Sequence, residues 1–398
     1  MSRAVVKFGG ATLADGERVK RAAQMVADAP YAEKVIVVSA PGRTTDQLLN
    51  LVSSFENDIE DQAYAEILSM GERTSAKVLT SALTAKGIKV REYDPTRDDF
   101  PVITNGDFLN ATVDLKETRE RCRSELLPSL KESVAVVPGF LGRCKGRITV
   151  LGRGGSDITA TVLGNCLDAD EVILVKDTAG VMSADPNVVP DAKPVSSISI
   201  AEMYALAHGG AKVVRPEALF YKAADQRLRV VPFGRPLGED GTEITGSIRP
   251  TDPYFAKGTG LSELTVVSAS GLAILGEVLK RIGADVKGIG TGRTTVTFFI
   301  NGDTWQEVCR RVHGVEGVKA VSGRSGIGFI EMVHPHLVDQ PGIVAKAATI
   351  LSMHGINIIE VTSSKGAMTF FLDERRLDEA YGLLEENLLV GQLGAQEA

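Results

Sequence analysis

"VVKFGGATLADGERVKRAA" (residues 5–23) sets a lysine and two glycines at the end of a short apolar run. Val5, Val6 and Phe8 predict a strand, and Ala11 through Asp15 predict the start of a helix that runs on past Arg18. A Gly-Gly turn between strand and helix lets the backbone come close to a ligand. A helix N-terminus favours an anion, and Lys7 adds a full positive charge at the same place. Two readings stand on this stretch alone: a tight βα turn with a surface lysine, or a phosphate cradle.

Working outward, the same strand-then-helix rhythm continues to about residue 235. Apolar runs at Val5–Phe8, Val35–Ser39, Val134–Val137, Ile148–Leu151, Val172–Val175 and Arg229–Phe233 predict strands buried on both faces. Amphipathic stretches such as Gln62–Ala85 and Leu115–Lys131 predict helices between them. The fold class is therefore α/β, a mostly parallel sheet sandwiched by helices, with ligands expected beyond the carboxyl ends of the strands.

Residues 249–262, "RPTDPYFAKGTGLS", carry two prolines and several small breakers and predict a linker. Beyond it, "LTVVSASGLAILGEVLKRIGADVKGIGTGRTTVTFFI" reads as strand, helix, strand, strand. The same order returns about 60–65 residues later in "FIEMVHPHLVDQPGIVAKAATILSMHGINIIEVTSSKGAMTFFL". Two small βαββαβ units are expected. The domain plan is 1–250, then 263–325 and 326–398, with room for a strand exchange between the last two.

The 398 residues are too many for one ordinary core. A net charge of −7 without a dense basic block argues against a nucleic-acid partner. Cys122, Cys144, Cys166 and Cys309 show neither CxxC nor zinc-ligand spacing, so no metal site is expected and a reducing cytoplasm fits. The chain enters its first strand without an apolar signal core, and no run of about 18 apolar residues predicts a membrane span.

The densest chemistry lies in "GRITVLGRGGSDITATVLGNCLDAD" (146–170). A strand ending at Leu151 leads into Gly152, Arg153, Gly154 and Gly155, with a helix from about Ile158. Such glycines expose N–H groups to an anion, and Arg153 offers a bidentate fork for carboxylate or phosphate. Ser156 or Asp157 is expected to cap the helix. In "VILVKDTAGVMSADPNVVPDA" (172–192) a strand delivers Lys176 and Asp177 to its carboxyl end. Asp177 and Asp185 are candidates for nucleotide contacts, or plain turn acids. Glu72 in "LSMGERTSAKVL" (68–79) lies inside a helical pattern, where a glutamate is normally solvated. "VVSAPGRTTDQLL" (37–49) sets Ser39 and Thr45 around a strand-to-helix turn, and "GGAKVVRPEAL" (209–219) offers Lys212.

No GxxxxGK[ST] is present, and "GIGTG" at 288–292 fails the dinucleotide spacing. "KFGGAT", "VVSAPGRTTD", "GERTSA", "VLGRGGSDITA", "KDTAGVMSADP" and "GAKVVRP" nonetheless occur in one order across residues 1–235. Together they resemble the amino-acid kinase family, and within it the aspartate kinases. Residues 263–398 resemble a pair of ACT domains, with "DQPG" followed by "HGINI" as the clearest sign.

The resemblance implies phosphorylation of the β-carboxylate of L-aspartate by ATP with Mg²⁺. It makes Lys7 the lysine that supports the transferring phosphate, with Gly9 and Gly10 giving close backbone approach. Asp157 joins Lys7 as a catalytic group, and Arg153 binds the aspartate carboxylate. Glu72 holds the substrate amino group, and Thr45 and Ser156 lie by the substrate. Ser39, Lys176, Asp177, Met182, Asp185 and Lys212 fall on the nucleotide side. This chain has Lys176 for a usual threonine, Met182 for a tyrosine, Asn187 for an arginine and Arg215 for a histidine. Lys176 supplies, from a neighbouring position, the charge that Asn187 lacks. A homodimer or higher homo-oligomer through the ACT pair is implied, with lysine or threonine as effector. The first effector loop, "VVSASGLAIL" (266–275), has no acidic residue to meet an ammonium, whereas the second keeps Asp339 and Pro341. Weak or absent lysine inhibition is therefore expected.

Overall fold

The computed structural model describes residues 2–389, apart from 54, 56–58, 153, 212, 239–240, 248–253, 269–270, 302–303, 334–341 and 365–366. The expected roles of Arg153, Lys212, Asp339 and Pro341 thus lie outside the described residues. The chain divides into two units, Met1–Ile248 and Arg249–Ala398.

The first unit begins with β1 (Arg3–Phe8), a 3₁₀ turn (Gly10–Leu13), α1 (Gly16–Asp28), β2 (Glu33–Val38), α2 (Thr44–Ser53), α3 (Asp61–Ala85) and β3 (Val90–Glu92). Helix α4 (Leu115–Arg121) passes through a π turn into α5 (Leu127–Leu130), and β4 (Val134–Pro138) follows. Next come a hairpin of β5 (Leu141–Cys144) and β6 (Arg147–Val150), then α6 (Gly155–Cys166) and β7 (Glu171–Lys176). The unit closes with β8 (Ser197–Ser199), α7 (Ile200–His208), α8 (Pro216–Leu219), β9 (Arg227–Pro232) and β10 (Thr242–Thr245).

Eight strands form one sheet in the order β3-β4-β2-β1-β7-β9-β10-β8. It is parallel except where β10 runs against β9. Alternation along the strands divides their side chains between two cores. Val5, Val35 and Val37 enter one, while Val6, Phe8, Ile36 and Val38 enter the other. Both faces are covered, as the continuous apolar runs require. Each fully buried valine or phenylalanine contributes roughly 1.5–3 kcal/mol.

Three local expectations need correction. The run Ile148–Leu151 belongs to the antiparallel β5–β6 hairpin, outside the eight-stranded sheet. The helix expected from Ala11 begins only at Gly16, because Asp15 caps it by accepting from the Arg18 N–H at 2.9 Å. Helix α6 has no side-chain cap. Gly154 is its N-cap with φ 78°, a conformation open to glycine, so neither Ser156 nor Asp157 serves in that role.

The second unit holds β11 (Tyr254–Ser268), α9 (Leu275–Ile282), β12 (Asp285–Thr291), β13 (Thr295–Asn301), α10 (Trp305–Val312) and β14 (Val318–Val333). It ends with α11 (Ile343–Met353), β15 (Ile358–Ser363), β16 (Ala367–Asp373) and α12 (Leu377–Leu389). Its six strands follow the order β12-β13-β11-β14-β16-β15. Residues 254–262, expected as linker, are strand. Tyr254–Gly258 pair with Val333–Phe329, and Phe255 enters the core built by α11 and α12. The far end of β11 serves the other half, where Leu264 and Val266 pack with α9 and α10. β14 is divided in the same way, so each half borrows strand from the other.

Candidate active site

The carboxyl ends of β1, β2 and β7 meet the start of α6 around a cavity of about 1020 Å³. Lys7 is the penultimate residue of β1, and Lys176 is the last of β7. Both ammoniums reach Asp157 in the first turn of α6. Lys7 Nζ lies 2.7 Å from Oδ1, and Lys176 Nζ lies 3.1 Å from Oδ2 and 3.3 Å from Oδ1. Burial alone would raise the Asp157 pKa, but the charges of Lys176 and Lys7 outweigh it and hold the carboxyl well below its usual range. Lys176 responds oppositely. Burial lowers its pKa, Asp157 raises it and Lys7 lowers it again, leaving it at about 8.

Glu72 enters the cavity from the middle of α3 and is 3% exposed. Burial raises its pKa to about 7, partly offset by the Ala40 N–H and the Lys7 charge. Among the described residues its Oε2 has no hydrogen-bond partner. A buried, unpaired carboxylate oxygen is costly unless a cation meets it. Gly71 beside it lets α3 close on the turn that follows β2, for a Cβ there would sit 2.6 Å from the Ala40 Cβ.

The backbone walls are tight. A Cβ on Gly10 would lie 2.5 Å from the Ala40 carbonyl oxygen, and one on Gly139 would lie 2.7 Å from the Ser156 Cβ. Phe140, in the cavity wall, holds φ 67° without being glycine. Strain of this kind costs on the order of 1–3 kcal/mol and gathers at functional sites.

Of the candidate residues, Lys7, Gly10, Ser39, Thr45, Glu72, Ser156, Asp157 and Lys176 line one cavity. Gly9 lies next to it, its Cβ position 3.7 Å from the Lys7 ammonium. Three others are placed elsewhere. Asp177 forms an ion pair with Arg18 at 2.9 Å. Asp185 is exposed and accepts from the Asn187 backbone at 2.9 Å and side chain at 3.0 Å. Met182 pairs by a β-bridge with Pro194. Cavity residues that sequence reasoning did not assign include Asn110 and Arg215, whose stem lies over Gly154. No sequence signal marks Asn110, since its loop joins the site through the hydrogen bonds that Phe108 and Ala111 make with Val150 of β6.

Among the described residues no group of three or more His, Cys, Asp or Glu could hold a metal ion. No helix there is long and apolar enough to cross a membrane. The arrangement suits an anion between two ammoniums at one end and an ammonium against Glu72 at the other.

The model of the amino acid kinase family matches residues 2–231. The aspartokinase of Geobacillus stearothermophilus is 30% identical over 96% of this chain and 98% of its own length. Among solved structures, the aspartate kinase from Synechocystis superposes with a TM-score of 0.75 at 23% identity. That match covers 97% of this chain and 69% of the other. Aspartokinase III of E. coli, in complex with aspartate and ADP, gives a TM-score of 0.57 at 22% identity, covering 97% of this chain and all of the other. At these identities the two structures speak for the fold.

Proposed function

From its membership of the amino acid kinase family, we infer that this chain is an aspartokinase, an ATP-dependent kinase that phosphorylates the β-carboxylate of L-aspartate. The carrying observation is the pairing, in one cavity, of the Lys7–Asp157–Lys176 cluster with the buried, unpartnered Oε2 of Glu72. A dicarboxylic amino acid has one ammonium and two carboxylates. Glu72 meets the ammonium, Arg153 takes the α-carboxylate, and the β-carboxylate is left to face the phosphates. Ser39, Thr45 and Ser156 supply hydroxyls around the two ligands.

In the reaction a β-carboxylate oxygen attacks the γ-phosphorus. The new O–P bond forms as the bond to the β-phosphate oxygen breaks, giving 4-phospho-L-aspartate and ADP. The carboxylate is already ionised at neutral pH, so no general base is needed. Catalysis is then alignment and charge stabilisation. Lys7 neutralises charge on the moving phosphoryl group, and Asp157 positions its ammonium. Gly9 and Gly10 let the backbone close on the phosphates. Lys176, Asp177, Met182, Asp185 and Lys212 belong to the nucleotide side. Bound together with ATP, Mg²⁺ would supply further neutralisation of phosphate charge; Asp157, already paired with Lys7 and Lys176, would hold the ammoniums rather than the metal.

The second unit is proposed as the seat of a homodimer and of an amino-acid effector, lysine or threonine. A cytoplasmic location fits the free thiols of Cys122, Cys144, Cys166 and Cys309. The deciding experiment is a coupled assay of ADP release with aspartate, with glutamate and with no amino acid. Release with aspartate alone is expected, and equal release in all three would remove the assignment. Lysine, threonine and methionine added at millimolar level, with light scattering for mass, test the effector and the dimer.

A further inference from the structure

Two lysines share one carboxylate in this site, and one of them is surplus to neutralising it. β1 and β7 lie side by side, with Lys7 opposite Leu174 and Phe8 opposite Val175. Lys176, two residues beyond Leu174, therefore leaves the sheet on the same face as Lys7. On that face Val5, Val172 and Leu174 are core. Each apolar row thus ends in an ammonium at the carboxyl edge of its strand.

The side chains of Lys7, Lys176 and Asp157 are 7%, 18% and 6% exposed. Lys7 alone would satisfy Asp157 as a buried ion pair. Among the described residues Asp157 is the one ion-pair partner of both ammoniums, and two cations sharing one carboxylate in a largely buried place leave positive charge for an arriving anion. The neighbouring loop brings no cation of its own to this point. Asn187 is tied to Asp185, both exposed, and neither lines the cavity. Arg18 is engaged with Asp177.

We propose that Lys176 is a second phosphate-binding cation of this kinase, acting on the terminal phosphates of ATP beside Lys7, with Asp157 as the shared anchor that sets the spacing of the two ammoniums. The proposal rests on the kinase reading above and adds to it a residue that works in phosphoryl transfer rather than in adenosine recognition. Among the described residues the charged groups facing Lys176 are Asp157 from α6 and Lys7 from β1, with Glu72 of α3, Asp46 of α2 and Arg215 lining the same cavity. With its pKa at about 8, Lys176 loses its proton in the mildly alkaline range. kcat/KM for ATP then falls as pH rises through about 8, because this parameter follows the free enzyme.

The test uses the full chain as Lys176→Met, Lys176→Thr and Lys176→Arg. ADP and ATP binding are measured by calorimetry, aspartate kinetics at saturating ATP, and melting temperature for integrity. Lys176→Met and Lys176→Thr are expected to lower kcat by about 10-fold or more and weaken ATP binding by a similar factor, with the aspartate KM within about 3-fold. Lys176→Arg is expected to keep most activity and lose the alkaline limb near pH 8. Wild-type ATP binding and kcat in a folded Lys176→Met enzyme would overturn the proposal, leaving Lys176 a counterion of Asp157. If the Met and Thr variants do not fold, the Arg variant decides: an unchanged alkaline limb overturns the proposal. Absence of aspartate-dependent ADP release in the wild type would instead overturn the kinase reading.

Discussion

Glu72 carries the sharpest pH dependence of the substrate side. Its carboxyl titrates at about 7, and only its ionised form pairs with an ammonium. kcat/KM for aspartate is therefore expected to rise with pH up to about 7 and level off above it. In Glu72→Gln this acid limb should vanish, with the aspartate KM raised and ATP binding retained; a pH series of initial rates reads both. Lys7→Ala and Arg153→Ala should separate cleanly. The first should lower kcat by about 10²-fold or more, since its charge matters most as the phosphoryl group moves. The second should raise the aspartate KM with little change in nucleotide binding, because a charge-assisted bidentate contact is worth roughly 2–3 kcal/mol. Collapse of ATP binding in Arg153→Ala with intact aspartate binding would reverse that assignment. Lys7, Glu72 and Asp157 were legible as residue types at motif positions. Their convergence was implied only by the family resemblance and not by the residue pattern itself, since it depends on α6 packing against the sheet. The two lysines share a face because β1 and β7 pair with Lys7 opposite Leu174, a register that the local pattern does not announce.

At the scale of elements, the turn after β1 is a tightly constrained connection of the first unit. Gly10 faces the Ala40 carbonyl so closely that Gly10→Ala must push two chain segments apart. A loss of about 1–3 kcal/mol is expected, read as a lowered denaturation midpoint, together with weaker nucleotide binding. A midpoint equal to wild type would show that the turn yields. The strands of the first sheet were readable because apolar runs buried on both faces need no knowledge of their partners. Two segments misled for the opposite reason. Ile148–Leu151 has the composition of a central strand but folds back on its neighbour β5. Residues 254–262 carry glycines that suggest a linker, yet Gly258 is small because the Phe329 ring fills the space where its Cβ would be. That partner lies 71 residues away in sequence, beyond the reach of any local pattern.

At the scale of the whole molecule, the second unit should behave as one cooperative body. Its halves exchange strand through β11 and β14, and Phe299 of one half stacks on Phe371 of the other with ring centroids 3.8 Å apart. A fragment of residues 249–398 is expected to fold with a single unfolding transition. A fragment of 263–398 should lose the core around Phe255, Ile330 and Met332, at least about 3 kcal/mol on the scale of a buried phenylalanine. Two separate transitions in the longer fragment, or an unchanged midpoint in the shorter one, would contradict this. The divided strands also bind the repeats to a common fate. Neither repeat can be excised, duplicated or traded with a related chain as a contiguous cassette, because cutting at the obvious repeat boundary removes a piece of the other. Recombination between such genes would preserve the pair only when both are inherited together. The difference between "VVSASGLAIL" (266–275) and "HLVDQPGIV" (336–344) must then arise by point substitution within a joined pair.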